Sequence, residues 1–247
     1  MRTHLFTDAD NTLWDTNSIF VEAQLTMLSD LEAITGRQTP ESQDRGLAFL
    51  RDIDQRIAAS HPERLRYPPV LLAEGLVHAL EGADSRQAAV HALHRNRAAD
   101  RRILGVVERF TEHLRCVPPL RACVRKGLEA AALAAVPVTV VPEERLDRCR
   151  QLIGAHGFEP LIHDVLSIRK TVEAFRELKT SIGVTHSLMV GDQIDRDIEP
   201  PKQAGFETFL FGSAFVPYWN IAMQSTAHHC ISRYDELIPF FTTEHCE

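Results

Sequence analysis

Asp8 and Asp10 stand two residues apart in THLFTDADNTLWD (residues 3–15), directly after the short apolar run His4-Leu5-Phe6-Thr7. Side chains two apart on an extended backbone lie on the same side, so both carboxylates can face one ligand. Neighbouring anions repel, and one pKa rises unless a cation intervenes. The pair therefore points to a metal or to a division of labour between acid and base. VGDQIDRDI (residues 190–198) supplies Asp192 and Asp197 behind another apolar run. An oxygen-only set of this kind suits a hard cation such as Mg²⁺, held by a few carboxylates together with substrate phosphate. Histidine and thiolate are absent from these loops, which disfavours zinc. Thr139 in VPVTVVPEE (residues 136–144) and Lys170 follow two further apolar runs and add a hydroxyl and a cation.

Residues so far apart in the chain need a scaffold that ends several strands at one edge. Beyond Pro118-Pro119 the pattern alternates: helix 120–135, buried strand 136–141, helix 143–155, strand 161–166, helix 171–182, strand 187–190, helix 198–204, strand 208–211. Alternation of this kind predicts a parallel sheet covered by helices, with the working groups at the carboxyl ends of its strands. Between Ser18 and Arg115 only helical periods occur. Gly36 is a stop signal there, Thr39-Pro40-Glu41 a start, and Asp84 an N-cap. The expected fold class is α/β: a Rossmann-like core of residues 1–16 and 117–247, interrupted by an all-helical domain of residues 17–116.

The remaining arithmetic excludes whole classes. The chain has 247 residues, with 27 basic against 34 acidic side chains and a net charge of −7, which argues against generic binding to nucleic acid or an anionic membrane. The longest apolar run, residues 130–141, is interrupted by Pro137 and falls short of the roughly 18–20 residues a spanning helix needs. Asp8 and Asp10 come too early for a secretory leader, so a cytoplasmic location is expected. Five cysteines, an odd number with no C-x-x-C spacing, suggest neither a disulfide framework nor a structural zinc site. Oligomeric state is left open.

The same residues carry a family resemblance. TDADNTLWD resembles the first motif of the haloacid dehalogenase superfamily, D-x-D-x-T at a strand end, and VGDQIDRDI resembles its fourth, G-D-x4-D. Between them VPVTVVPEE resembles the second motif with Thr139 as its hydroxyl. Lys170 resembles the third-motif lysine, 31 residues after Thr139 and 22 before Asp192, with Thr171 where the family often has Pro. The resemblance implies that Asp8 is a nucleophile forming an aspartyl-phosphate and that Asp10 is the acid and base. It further implies Mg²⁺ held by Asp8, the Asp10 carbonyl and Asp192, with Lys170 and Thr139 on the transferring oxygens. Asp197 and Thr12 would support these groups from behind.

Dehalogenases of the superfamily lack an acid at the place of Asp10, so the resemblance implies a phosphatase acting on a small phosphorylated metabolite. The alternatives are a phosphotransferase or mutase, and a catalytically silent binding protein of the same fold. The helical block occupies the position of the superfamily's first cap class and would supply substrate contacts.

Three further features carry weaker expectations. His91, His94, Arg95, Arg101 and Arg102 fall on one basic helical stripe, either an anion receptor or a solvated face. Trp14 either lines the substrate entrance or seals the cap against the core. VPYWNIAM (residues 216–223) is an aromatic segment for the active-site rim or, in preference, for packing or dimer contact.

Overall fold

The computed structural model describes residues 3–39, 43–94, 100–143, 145–214, 216 and 223–241. Arg95, Pro40, Glu41 and most of the 216–223 segment lie outside them. Among the described residues, six strands form one parallel sheet: β1 (Thr3–Thr7), β2 (Val138–Val140), β3 (Asp164–Val165), β4 (His186–Gly191), β5 (Glu207–Leu210) and β6 (His229–Cys230). Their order is β3-β2-β1-β4-β5-β6, which puts the first strand of the chain at the centre, between β2 and β4. The expected strand 136–141 is trimmed to Val138–Val140 and 161–166 to two residues, while β6, also two residues, is an addition.

The sheet is apolar on both faces because helices cover both. Leu5, Val138, Val140, Leu188, Val190 and Phe209 pack with residues of α6 (Val124–Leu133), α7 (Leu146–Ala155) and the 3-10 helix Tyr234–Phe240. Phe6, Val141 and Met189 pack on the other side with Phe175 and Leu178 of α8 (Val172–Ile182) and with Phe206. Residues of even number in β1 therefore face α8, and Asp8 continues that row. The helix expected at 198–204 is a π-helical turn, Ile194–Ile198, running into the short α9 (Glu199–Gln203), whose first turn holds Pro.

The chain divides into two compact units, Met1–Asn17 with Val117–Glu247, and Ser18–Cys116. Among its described residues the second unit is all helical: α1 (Thr16–Thr35, begun just before the boundary), α2 (Gln43–Ser60), α3 (Pro69–Leu80), α4 (Ser85–Leu93) and α5 (Arg101–His113). Gly36 follows the end of α1, and Asp84 caps α4 by accepting from the Gln87 amide at 2.8 Å, as expected. The basic stripe is corrected: α4 stops at Leu93 with His94 as its C-cap, and Asp100 caps a separate α5. His91 therefore stacks on His78 of α3, and Arg102 pairs with Asp100 at 2.9 Å. No helix among the described residues is long and apolar enough to cross a membrane.

Candidate active site

Main-chain pairing with both neighbours delivers Asp8 to the sheet edge. Its amide donates to the Val190 carbonyl at 2.9 Å, and the Val141 amide donates to the Thr7 carbonyl at 2.8 Å, so Asp8 lies level with Gly191 on β4 and with Val141 beyond β2. Glycine at 191 is decisive. A Cβ there would lie 2.3 Å from the Asp197 Cβ, so the Asp197 side chain fills the space a larger residue would take, beside Asp8. The turn Ile194–Ile198 fixes Asp197 in that space: its amide donates to the Gln193 carbonyl at 2.7 Å and its Oδ2 accepts from the Gln193 amide at 3.0 Å.

Lys170 enters from just ahead of α8, on the face to which Asp8 points. Its Nζ donates to Asp8 Oδ1 at 2.5 Å and to Asp197 Oδ1 at 2.6 Å, and its side chain is only 3% exposed. Asp192 completes the set: oxygens of Asp8, Asp192 and Asp197 all lie within 4.8 Å of one another. Thr12, fully buried, donates to Asp8 Oδ2 at 3.2 Å.

Two buried carboxylates and a half-buried third against one buried ammonium leave negative charge in excess, and the titration of the site follows from that. Burial is the largest influence on Asp8 and, with Asp197 and Asp10 nearby, outweighs the Lys170 ammonium, pushing the carboxyl up to about 7. Burial, Asp8 and Asp197 likewise push Asp192 well above the usual carboxylate range. Burial works against the Lys170 charge, but Asp197 and Asp8 more than offset it and hold Lys170 above its ordinary value. A divalent cation fits this environment: Asp192 Oδ1 is buried with no hydrogen-bond partner, and the donors are all hard oxygens.

The structure does not bring every expected residue to this set. Asp10 turns its carboxylate toward its own loop, where Oδ1 accepts from Trp14 Nε1 at 3.0 Å and from Thr16 Oγ1 at 2.5 Å. Thr139 is a correction. It pairs with Phe6, two residues short of Asp8, and its hydroxyl is hydrogen-bonded to His4 Nε2 at 2.8 Å. At roughly 3.3 Å per residue it sits some 6–7 Å down the strand, and the position level with Asp8 is Val141, buried and without a hydroxyl. Of the two readings of Trp14, burial sets aside the entrance: it lies in the core under the sheet, stacked with His156.

Arg121, to which sequence reasoning gave no role, ties the rim together. Its guanidinium donates to the Asn11 carbonyl, to the Phe211 carbonyl at 3.3 Å and to the Gly212 carbonyl at 2.8 Å, and covers the Phe211 ring at 3.8 Å. The loops after β1 and β5 are thereby joined. Ser213, the next residue along, hydrogen-bonds to Asp192. No local signal marks Arg121, because its partners are main-chain oxygens.

No protein-family model matches the sequence, and no curated protein does. Solved structures do match in three dimensions. YfnB of Bacillus subtilis, a putative HAD-hydrolase bound to magnesium, is 17% identical with a TM-score of 0.61, over 97% of this chain and 98% of its own. A predicted phosphoglycolate phosphatase of Haemophilus somnus is 15% identical with a TM-score of 0.60, over 98% of both chains. A dehalogenase is 13% identical with a TM-score of 0.57, over 97% of this chain and 96% of its own. The fold is that of the haloacid dehalogenase superfamily. These likenesses establish an architecture shared by proteins of different chemistry, so the reaction has to be argued from the side chains.

Proposed function

We propose that this protein is a Mg²⁺-dependent phosphatase that hydrolyses a small phosphorylated metabolite through an aspartyl-phosphate on Asp8. The observation that carries the reading is the meeting of Asp8, Asp192 and Asp197, with Lys170 bridging Asp8 and Asp197 and one Asp192 oxygen buried and unpartnered. Asp8, Asp192 and the main-chain carbonyl of Asp10 would hold the ion. When bound, it neutralises charge and acts as a Lewis acid at the phosphoryl oxygens. Asp197 has both oxygens engaged, by Lys170 and by the Gln193 amide, and so serves to position Lys170.

In the first step the Asp8 carboxylate forms a bond to phosphorus as the bond from phosphorus to the leaving oxygen breaks, and Asp10 gives that oxygen its proton. In the second, water attacks the same phosphorus while Asp10 takes its proton, and the bond to Asp8 breaks to release phosphate. Lys170 balances charge on the nucleophile and on the transferring group throughout. Trp14 and Thr16 orient Asp10. The presence of an acid at position 10 favours phosphoryl transfer over dehalogenation, whose enzymes in this superfamily lack one. The net charge of −7 fits a small-molecule substrate in the cytoplasm better than nucleic acid or a membrane.

The test is phosphate release from a chromogenic phosphomonoester by wild type and by Asp8→Asn, with Mg²⁺ and with a chelator. Turnover that needs the metal and falls by at least about 10³-fold in the variant is expected, since a nucleophile acts as a unit with its partners. Undiminished turnover in Asp8→Asn would overturn the assignment.

A further inference from the structure

The side chains expected to receive a phosphoryl group are largely committed to other partners. Lys170 is held between two carboxylates, the Thr139 hydroxyl is hydrogen-bonded to His4, and Arg121 is spread over main-chain carbonyls. Arg196 differs. It rises from the turn between Asp192 and Asp197, and its guanidinium pairs with Glu143, three residues past β2, with Asp195 at 3.9 Å. Because β1 lies between β2 and β4, the ion pair joins the two loops that flank the one carrying Asp8. Strands two apart are separated by roughly 10 Å, which two long side chains meeting end to end can bridge. The pair is part-exposed, 31% for Arg196 and 28% for Glu143, so solvent and solutes reach it.

We propose that Arg196 receives the substrate's phosphoryl group, exchanging the Glu143 carboxylate for phosphoryl oxygens. The exchange keeps the guanidinium paired with an anion throughout and replaces a single charge-assisted hydrogen bond to Glu143 with the fork that a phosphoryl group can accept. It also supplies a donor on the side where Val141 stands in place of a hydroxyl. Glu143 is then a placeholder that competes with phosphate. The inference rests on the phosphatase reading of Asp8 and deepens it by assigning a specificity residue.

The two members of the pair have opposite predicted effects, which a mere brace would not show. Binding of inorganic phosphate is measured by calorimetry in the presence of Mg²⁺ for wild type, Arg196→Gln, Arg196→Lys and Glu143→Gln, beside KM and kcat for a phosphomonoester. Arg196→Gln is expected to weaken phosphate at least tenfold and to raise KM, Arg196→Lys to retain part of the affinity, and Glu143→Gln to tighten phosphate several-fold. Should Arg196→Gln fail to fold, Arg196→Lys and Glu143→Gln still decide the matter. Phosphate affinity unchanged in both, or weakened in both alike, overturns the proposal. Failure of the phosphatase reading looks different: turnover then survives Asp8→Asn, while phosphate binding continues to report on Arg196.

Discussion

At the scale of single residues, the glycine before Asp192 controls the site as firmly as the carboxylates do. Gly191→Ala would place a methyl group 2.3 Å from the Asp197 Cβ and 2.4 Å from its Cγ, and these atoms are too near the backbone to move aside cheaply. Asp197 must then leave Lys170, which loses one of its two partners. The expected outcome is a cation affinity at least about tenfold weaker, as when an outer ligand-orienting group is lost, with a stability loss of about 1–3 kcal/mol from overpacking. Titration of Mg²⁺ against the thermal midpoint separates the two effects, and a variant that binds the ion like wild type would refute the argument. This glycine was legible as part of G-D-x4-D, and the aspartates were legible because each follows an apolar run. Thr139 was misplaced because only the pairing of β2 with β1, a contact across more than a hundred residues of chain, fixes which residue is level with Asp8. Asp197 was foreseen as a supporting residue, but its place inside the carboxylate set depends on a π-helical turn that no periodicity announces.

At the scale of elements, the sequence showed alternation clearly and boundaries poorly. Thr171 illustrates why a departure from a familiar pattern can be sound: its hydroxyl accepts from the Ala174 amide at 3.3 Å and caps α8 directly behind Lys170, satisfying a helix-terminal donor. The two-residue strand β6 is too short to carry a period, yet it completes a cluster at the amino edge of the sheet. There His186 of β4 and His229 of β6 bond separate oxygens of Glu207 on β5, at 2.8 and 2.7 Å. Burial would raise the Glu207 carboxyl, but the hydrogen bonds from His229 and His186 outweigh it and hold it below its usual range. A carboxyl depressed in the folded state stabilises at pH values above its unfolded pKa, about 4.3, and that contribution disappears as pH falls through the lower folded value. Wild type should therefore melt above Glu207→Gln at neutral pH, and the gap should close in acid, below about pH 4. A gap undiminished at pH 3 would show that packing, not charge, joins these three strands.

At the scale of the molecule, the order of the chain conceals how separable its parts are. The sheet unit is discontinuous, Met1–Asn17 and Val117–Glu247, and the helical unit is one continuous stretch between. The two ends of the sheet unit meet: the Asp15 amide donates to the Pro119 carbonyl at 2.8 Å, the Arg121 amide to the Leu13 carbonyl at 3.1 Å, and Trp14 pairs with Leu120 in an antiparallel bridge. Both apolar clusters that cover the sheet draw only on residues of that unit, as do Asp8, Lys170, Asp192 and Asp197. Replacing residues 18–116 with a short Gly/Ser linker should therefore add little loop-closure entropy and leave both of these clusters complete. We expect the shortened chain to unfold in one cooperative transition by circular dichroism, and Mg²⁺ to raise its melting temperature as it raises that of the full chain. A broad, non-cooperative transition would mean that the sheet cannot hold its own core. A sharp transition indifferent to Mg²⁺ would mean that the carboxylates hold their arrangement only with the helical unit in place.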